Sequence, residues 1–334
     1  MKYTTVGLIV ILAVGILVAP GSSAAQGPAK VRRIGILMPA SAPDPERLRN
    51  LDAFRHSLRD LGWVEGQNLA MEIRWAEGGP ERLPDLAADL VRLPVEVLVA
   101  GGGVAVVHAA QHATSTIPIV MVALSGDPVA LGLVASLAWP GGNLTGTTSV
   151  HPELFGKLLQ LLQQAVPTLS RVAVLANPAH APTAAFVRET QVAAQALGVP
   201  LHILEVRRRD EVERAFTAMR EARADALLVL TDPVMLQYHL SDITALALQS
   251  RLPALYPWRM YVEAGGLMSY APSLRELWRR TAYYVDRILQ GTNPADLPVE
   301  QPTQFELVIN LKTAQALGLP LSPEVLFQAQ EVIQ

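Results

Sequence analysis

The sequence contains no cysteine. That excludes disulfides, a thiolate nucleophile, cysteine-ligated metal and a lipid anchor carried on an N-terminal cysteine. Aromatic residues make up only 5% of the chain and charged residues 17%, with a formal net charge of −3. Nucleic-acid binders carry a basic patch or stripe. The densest basic run here, Arg207-Arg208-Arg209, reads as a solvated loop or helix start, and no nucleic-acid partner is expected. Long apolar runs are also scarce. VGLIVILAVGILVAP (residues 6–20) is short of the roughly 20 residues a spanning helix needs, and no later segment is long and apolar enough to span.

What is present begins with that run. Lys2 precedes it, Pro20 ends it, and the small residues Ser23 and Ala25 follow, which is the layout of a secretory signal peptide. Residues 1–25 are expected to be removed after Ala25, leaving a periplasmic chain without an anchor. The remainder is ample for a packed core and suggests two domains.

From residue 32 onward strands and helices alternate. RIGILM (33–38), LAMEIRWA (69–76), VEVLVA (95–100) and IPIVMVAL (117–124) read as strands. Residues 45–61, 81–93 and 104–113 between them read as helices. Such alternation predicts a parallel sheet covered by helices on both faces. The pattern then recurs at a nearly constant offset. RVAVL (171–175) matches RIGIL, Leu197-Gly198 matches Leu61-Gly62, ADALLVL (224–230) matches VEVLVA, and SRLPALYP (250–257) matches STIPIVMV (115–122). Two similar α/β halves are expected. GLMSY (266–270), an amphipathic helix over 273–289, a proline-rich connector, FELVIN (305–310) and a helix over 311–318 follow. A tail of this kind can serve both halves if the chain crosses between them near 147–152, 268–272 and 298–304. The expected fold is therefore two doubly wound parallel-sheet α/β lobes joined by a multi-strand hinge. Residues 32–147 plus 271–298 form one lobe, and 148–268 plus 304–334 the other.

In open parallel sheets, ligands lie beyond the carboxyl ends of the strands. Those ends nominate Pro39, Ala40, Ser41, Gly101, Gly102, Gly103, Ser125, Gly126 and Asp127 in the first half. In the second they nominate Asn177, Pro178, Thr231, Asp232, Tyr256 and Tyr270. Asp127-Pro128, Asn177-Pro178 and Asp232-Pro233 each pair a good N-cap with a proline suited to the first helical position, so capping alone is the competing reading. Asp127 is the only charged residue in SGDPVALGLVASLAWPGGNLTGTTS (125–149). It is expected to cap a buried helix over 128–138 that ends in the Trp139–Asn143 turn.

Catalytic signatures are sparse. There is no G-x-S-x-G elbow and no Gly-Lys-Ser/Thr phosphate loop, and Gly101–Gly103 lacks the dinucleotide-binding spacing. His108 and His112 stand four apart, but no third metal ligand is indicated. No catalysis, cofactor or metal is expected. A doubly wound enzyme using the same cleft, or a sensor serving a membrane receptor, remain alternatives.

RRIGILMP (32–39), LRDLGWVEGQNLAMEIRWAEG (58–78), SGDPVALGLVASLAWPGGNLTG (125–146), YVEAGGLMSYAPS (261–273) and DLPVEQPTQFELVINLKTAQALGL (296–319) together give a resemblance. The chain resembles exported ABC-transporter substrate-binding proteins of the tryptophan/tyrosine-binding-protein-like group, with the type I periplasmic binding fold. Where that pattern usually has Arg before the Pro-Gly-Gly-Asn turn, this chain has Trp139. The resemblance implies a monomeric solute-binding protein that closes on a small polar ligand, amino-acid-like or aromatic. It also implies delivery to an inner-membrane permease driven by a separate ATP-binding subunit.

Overall fold

The computed structural model describes residues 31–39, 45–77, 79–149, 153–232 and 239–334. Residues 1–25, and Ala40 and Ser41 from the strand-end set, lie outside the described residues.

The first half runs β1 (Arg32–Met38), α1 (Pro45–Asp60), β2 (Leu69–Trp75), α2 (Leu83–Arg92), β3 (Val97–Gly101), α3 (Val104–Ala113), β4 (Ile119–Leu124) and β5 (Leu144–Thr148). Its strands form one parallel sheet in the order β2-β1-β3-β4-β5. Successive side chains on a strand point to opposite faces, and here they enter different cores. Ile34, Ile36, Val97, Val99, Val120 and Val122 face one side, whereas Leu37, Leu98, Ala100, Ile119 and Met121 face the other. Both faces are covered, which is why these strands read as continuous apolar runs.

The second half runs α4 (Leu154–Ala165), β6 (Val172–Ala176), α5 (Thr183–Leu197), β7 (Leu201–Glu205), α6 (Arg209–Glu221), β8 (Ala226–Val229), α7 (Leu240–Gln249), β9 (Ala254–Tyr256), α8 (Arg259–Glu263) and β10 (Met268–Ala271). Then come α9 (Leu274–Leu289), β11 (Glu306–Asn310), α10 (Leu311–Leu317), α11 (Pro323–Gln328) and β12 (Glu331–Ile333). The second sheet is ordered β12-β11-β10-β9-β8-β6-β7. Its β7-β6-β8-β9-β10 portion repeats the strand order of the first sheet. β11 is antiparallel to β10, and β12 runs parallel to β11. The short α11 and β12 were not anticipated from sequence. The fold is the two-sheet α/β arrangement expected.

The chain leaves the first sheet after Ser149, returns between Ala271 and Leu274, and leaves again between Glu300 and Glu306. On its return α9 packs on α1 and puts Leu277, Trp278, Ala282, Val285 and Leu289 into the first sheet's core. Residues 297–300 then pair along the edge of β5. Thr148 N–H donates to Glu300 O at 2.9 Å, Glu300 N–H to Gly146 O at 3.0 Å, and the Thr145 hydroxyl to Leu297 O at 2.6 Å.

The expected helix over 128–138 does not form. Asp127 accepts from Val129 N–H at 2.8 Å, Leu131 N–H returns to Asp127 O at 3.0 Å, and Gly132 N–H to Val129 O at 2.9 Å. Gly132 then adopts a left-handed conformation (φ 70°) that ends the coil after one turn. Leu133 and Val134 drop into the core while Trp139 stays 66% exposed, so an apolar run that looked like one buried helix is divided between core and surface. Asn177 likewise closes a turn, accepting from Ala179 N–H at 3.0 Å, and the following helix begins only at Thr183. Arg207, Arg208 and Arg209 are ion-paired with Glu205, Asp210 and Asp242, consistent with a solvated helix start.

Candidate ligand-binding cleft

The strand ends of the two sheets meet across a common cavity of about 90 Å³. The first half supplies Met38 and Pro39 after β1, Gly102 and Gly103 after β3, and Ser125 after β4. The second supplies Thr231 after β8 and Trp258 and Met260 at α8. Arg47 and Asn50 from the first turns of α1, and Leu274 and Trp278 from α9, complete much of the wall.

Local backbone geometry explains the access. Gly102 (φ 98°) and Gly103 (φ 110°) take conformations that side-chain-bearing residues rarely adopt, and a Cβ on Gly102 would lie 2.7 Å from the Pro39 ring. A Cβ on Gly101 would lie 2.7 Å from Met38 Sδ and 3.0 Å from the Trp278 indole, so Gly101 sets where that indole rests. Gly103 is the N-cap of α3 and no side chain caps the helix, so its first N–H groups face the glycine corner without one. Ala123, at the cavity wall, is left-handed (φ 54°) inside a register irregularity of β4. Its N–H donates to the Thr147 hydroxyl at 3.1 Å and its carbonyl accepts from the Ser149 hydroxyl at 2.9 Å. Strain held by surrounding bonds is common at functional sites.

Two polar side chains at this cavity have no hydrogen-bond partner among the described residues. Asn50 and Ser125 are each only 5% exposed. Thr231 differs, because its hydroxyl oxygen accepts from the Trp258 indole N–H at 3.2 Å, which fixes that ring.

Beneath Thr231 lies a buried polar cluster. The Asn177 side-chain amide donates to both Asp232 oxygens, at 3.1 and 3.0 Å. His180 stands near them, and burial holds its pKa below the usual histidine value despite the opposing pull of Asp232. Tyr261 is fully buried and its ring stacks on Tyr256 at 4.9 Å. Burial and the Asp232 charge push the Tyr261 phenol well above its usual range. Tyr261 Oη, His180 Nε2 and Thr183 Oγ1 lack partners among the described residues.

The remaining nominated residues are dispersed. Gly126 and Asp127 border a separate crevice of about 1010 Å³ facing Pro182, Arg188 and Glu189 of the second half, and a Cβ on Gly126 would lie 3.0 Å from the Pro182 ring. Pro178 sits in the half-buried turn after β6. Tyr256 points into the second core rather than the cavity. Tyr270 stacks on Phe305 at 5.5 Å, beside the passage between sheets. His108 and His112 lie exposed on α3 with their rings stacked at 6.0 Å, away from the cavity walls. Reading strand ends missed Arg47, Asn50, Met260, Leu274 and Trp278, all of them on helices. Trp278 read as a core residue of an amphipathic helix, and it is both core and cavity wall.

A second cavity of about 280 Å³ adjoins the first across Asn50, Trp258 and Leu274. Its charged walls include Arg259, paired with Glu331, and Arg279, paired with Glu276. Arg49 of α1 reaches Glu263 of α8 at 3.4 Å, a further link between the halves.

Comparison with known proteins gives a consistent result. The family model of ABC transporter substrate binding proteins matches residues 33–333. The tyrosine-binding protein of Clostridioides difficile (strain R20291) is 24% identical over 290 residues, covering 87% of this chain and 82% of that protein. Among solved structures, a conserved domain protein from Vibrio cholerae O1 biovar El Tor superposes with a TM-score of 0.83 at 27% identity, covering 91% of this chain and all of that one. An ABC domain from Streptococcus pneumoniae in complex with L-Trp gives a TM-score of 0.82 at 24% identity, again over 91% of this chain and all of that one.

Proposed function

The chain belongs to the family of ABC transporter substrate binding proteins, and from that premise we propose that it captures a small organic ligand between two lobes and hands it to a membrane permease. The observation that carries this reading is the cavity walled by strand ends of both sheets, from Ser125 on one side to Thr231 and Trp258 on the other. A ligand held by both halves stabilises their closed arrangement, because only that arrangement offers all its contacts. The lobes are residues 32–147 plus 271–298 and 148–268 plus 304–334, and the passages between them act as the hinge. The named relatives, one a tyrosine-binding protein and one complexed with L-Trp, support an amino-acid-like or aromatic ligand. The protein performs no chemistry on it. A separate ATP-binding subunit drives transport, and residues 1–25 direct export to the periplasm.

Mass spectrometry of material released from natively purified protein tests the reading. A stoichiometric small molecule that, when added back, shrinks the radius of gyration in small-angle scattering is the expected result. An unchanged scattering profile at saturation rules out hinge closure. N-terminal sequencing of the exported chain should begin near Gln26.

A further inference from the structure

Two indoles, one from each half, stand at the walls of the same cavity. Trp278 is rooted in the first sheet's core and Trp258 in the second's, and each is only 5% exposed. Both rings are held from behind. The Trp258 indole N–H donates to the Thr231 hydroxyl at 3.2 Å. Trp278 meets Phe54 edge-on, with centroids 5.7 Å apart and the planes at 72°. Its Cζ2 and Cη2 edge lies where a Cβ on Gly101 would approach to 3.0 and 3.2 Å. The two indoles make no ring contact with each other among the described residues. Met38, Val122, Met260 and Leu274 give the wall between them its apolar character.

Apolar neighbours alone would serve an aliphatic solute. A buried indole adds a broad flat face with a quadrupole, which favours an aromatic ring, offset or edge-on, over a puckered saturated one. Because the two faces come from different halves, a ring gains both contacts only when the halves are together, so reading the ring and closing on it are one event. Space is sufficient. The cavity of about 90 Å³ continues past Trp258 into the adjoining one of about 280 Å³, and together they exceed the about 150 Å³ that encloses a benzene ring in a protein core. The adjoining walls carry Ser269, Arg259 and Glu306, which suits the polar part of the solute.

We propose that Trp258 and Trp278 are the specificity-determining pair of this cleft, taking an aromatic ring of the solute between them, with Gly101 fixing where the Trp278 face stands. The proposal rests on the cleft being the ligand site and adds which residues choose the ring.

Calorimetry with L-tryptophan, L-phenylalanine and L-cyclohexylalanine, added to the mature chain freed of bound ligand, tests it. L-Cyclohexylalanine keeps the apolar bulk and the amino-acid end of L-phenylalanine but lacks the flat ring. L-Phenylalanine should bind at least about fivefold more tightly than the saturated probe, as two aromatic contacts imply. Trp258→Leu should lower that ratio about threefold or more, and Trp258→Phe should restore most of it. A merely structural role weakens both probes alike; a ratio unmoved in Trp258→Leu therefore overturns the pair. Gly101→Ala presses on the Trp278 edge and should weaken L-tryptophan more than L-phenylalanine, because the wider ring meets the displaced face first. Equal losses overturn the part given to Gly101. Failure of both aromatic probes overturns the pair, as does L-cyclohexylalanine binding as tightly as L-phenylalanine. A saturated solute that co-purifies with native protein and still shrinks the radius of gyration upholds the cleft and overturns the pair, whereas an unchanged profile at saturation counts against the cleft itself.

Discussion

At the carboxyl ends of the first sheet's strands stand Pro39, Gly101–Gly103 and Gly126; at the same ends of the second stand Asn177, Thr231, Asp232 and Trp258. The strand order behind them is the same. The first half makes its face of the cleft by leaving atoms out, so that backbone N–H groups and the Trp278 ring come close. The second makes its face from side chains bonded to one another, Asn177 to Asp232 and Trp258 to Thr231. One surface is therefore sensitive to added atoms and the other to lost polar partners.

The largest effect is expected where a polar partner is removed. Asn177→Ala deletes the amide that bonds both Asp232 oxygens and the acceptor of Ala179 N–H. It should cost about 3 kcal/mol in chemical denaturation, because a buried carboxylate loses a partner. Gly101→Ala adds one methyl against Met38 and Trp278. It should cost roughly 1–3 kcal/mol by overpacking and also weaken ligand binding. If Gly101→Ala proves harmless to both, the contrast between the halves fails.

A pH titration separates the halves further. Burial lowers the pKa of His180, so the folded protein keeps it neutral where the unfolded chain, titrating near 6.5, is already protonated. Stability contributed by the neutral form is complete above that value and is lost as pH falls from it toward the lower folded value. Denaturation midpoints of His180→Gln should therefore fall less steeply below about pH 6.5 than those of the wild type; parallel curves remove His180 from the account. The smallest effect belongs to the pair linking the halves. Arg49 and Glu263 are 48% and 34% exposed at their side chains, and Arg49→Ala should change stability by less than about 1 kcal/mol.

The sequence made the architecture legible because each strand is bounded by Gly, Pro or a polar turn residue and each helix shows its own period. It made positions of the cleft legible for the same reason, since strand ends are marked by punctuation. The orientation of side chains was not marked. Tyr256 and Trp258 are two residues apart and both pack in the second core, yet of the two it is Trp258 that also reaches the cavity wall. Arg47 and Asn50 sit on a helix whose polar residues look merely solvated, and nothing in that periodicity shows that Thr231, Trp258 and Met260 line the same cavity. Residues 128–138 failed for a different reason. Their apolar content suited a buried helix, but Gly132 offers the chain a left-handed exit, and the edge of the 297–300 segment uses the backbone of Leu137 as an acceptor instead.

The placement of α9 sets an order in time. A chain that emerges from its N-terminus has all five strands of the first sheet by residue 148, yet one side of that sheet has only α1 to cover it until Trp278, Val285 and Leu289 have emerged. The edge of β5 waits longer still, for residues 297–300. Throughout that interval the whole second sheet's strands up to β10 are made while the first remains incomplete. The first half of the sequence thus completes its packing only when nearly nine-tenths of the chain exists.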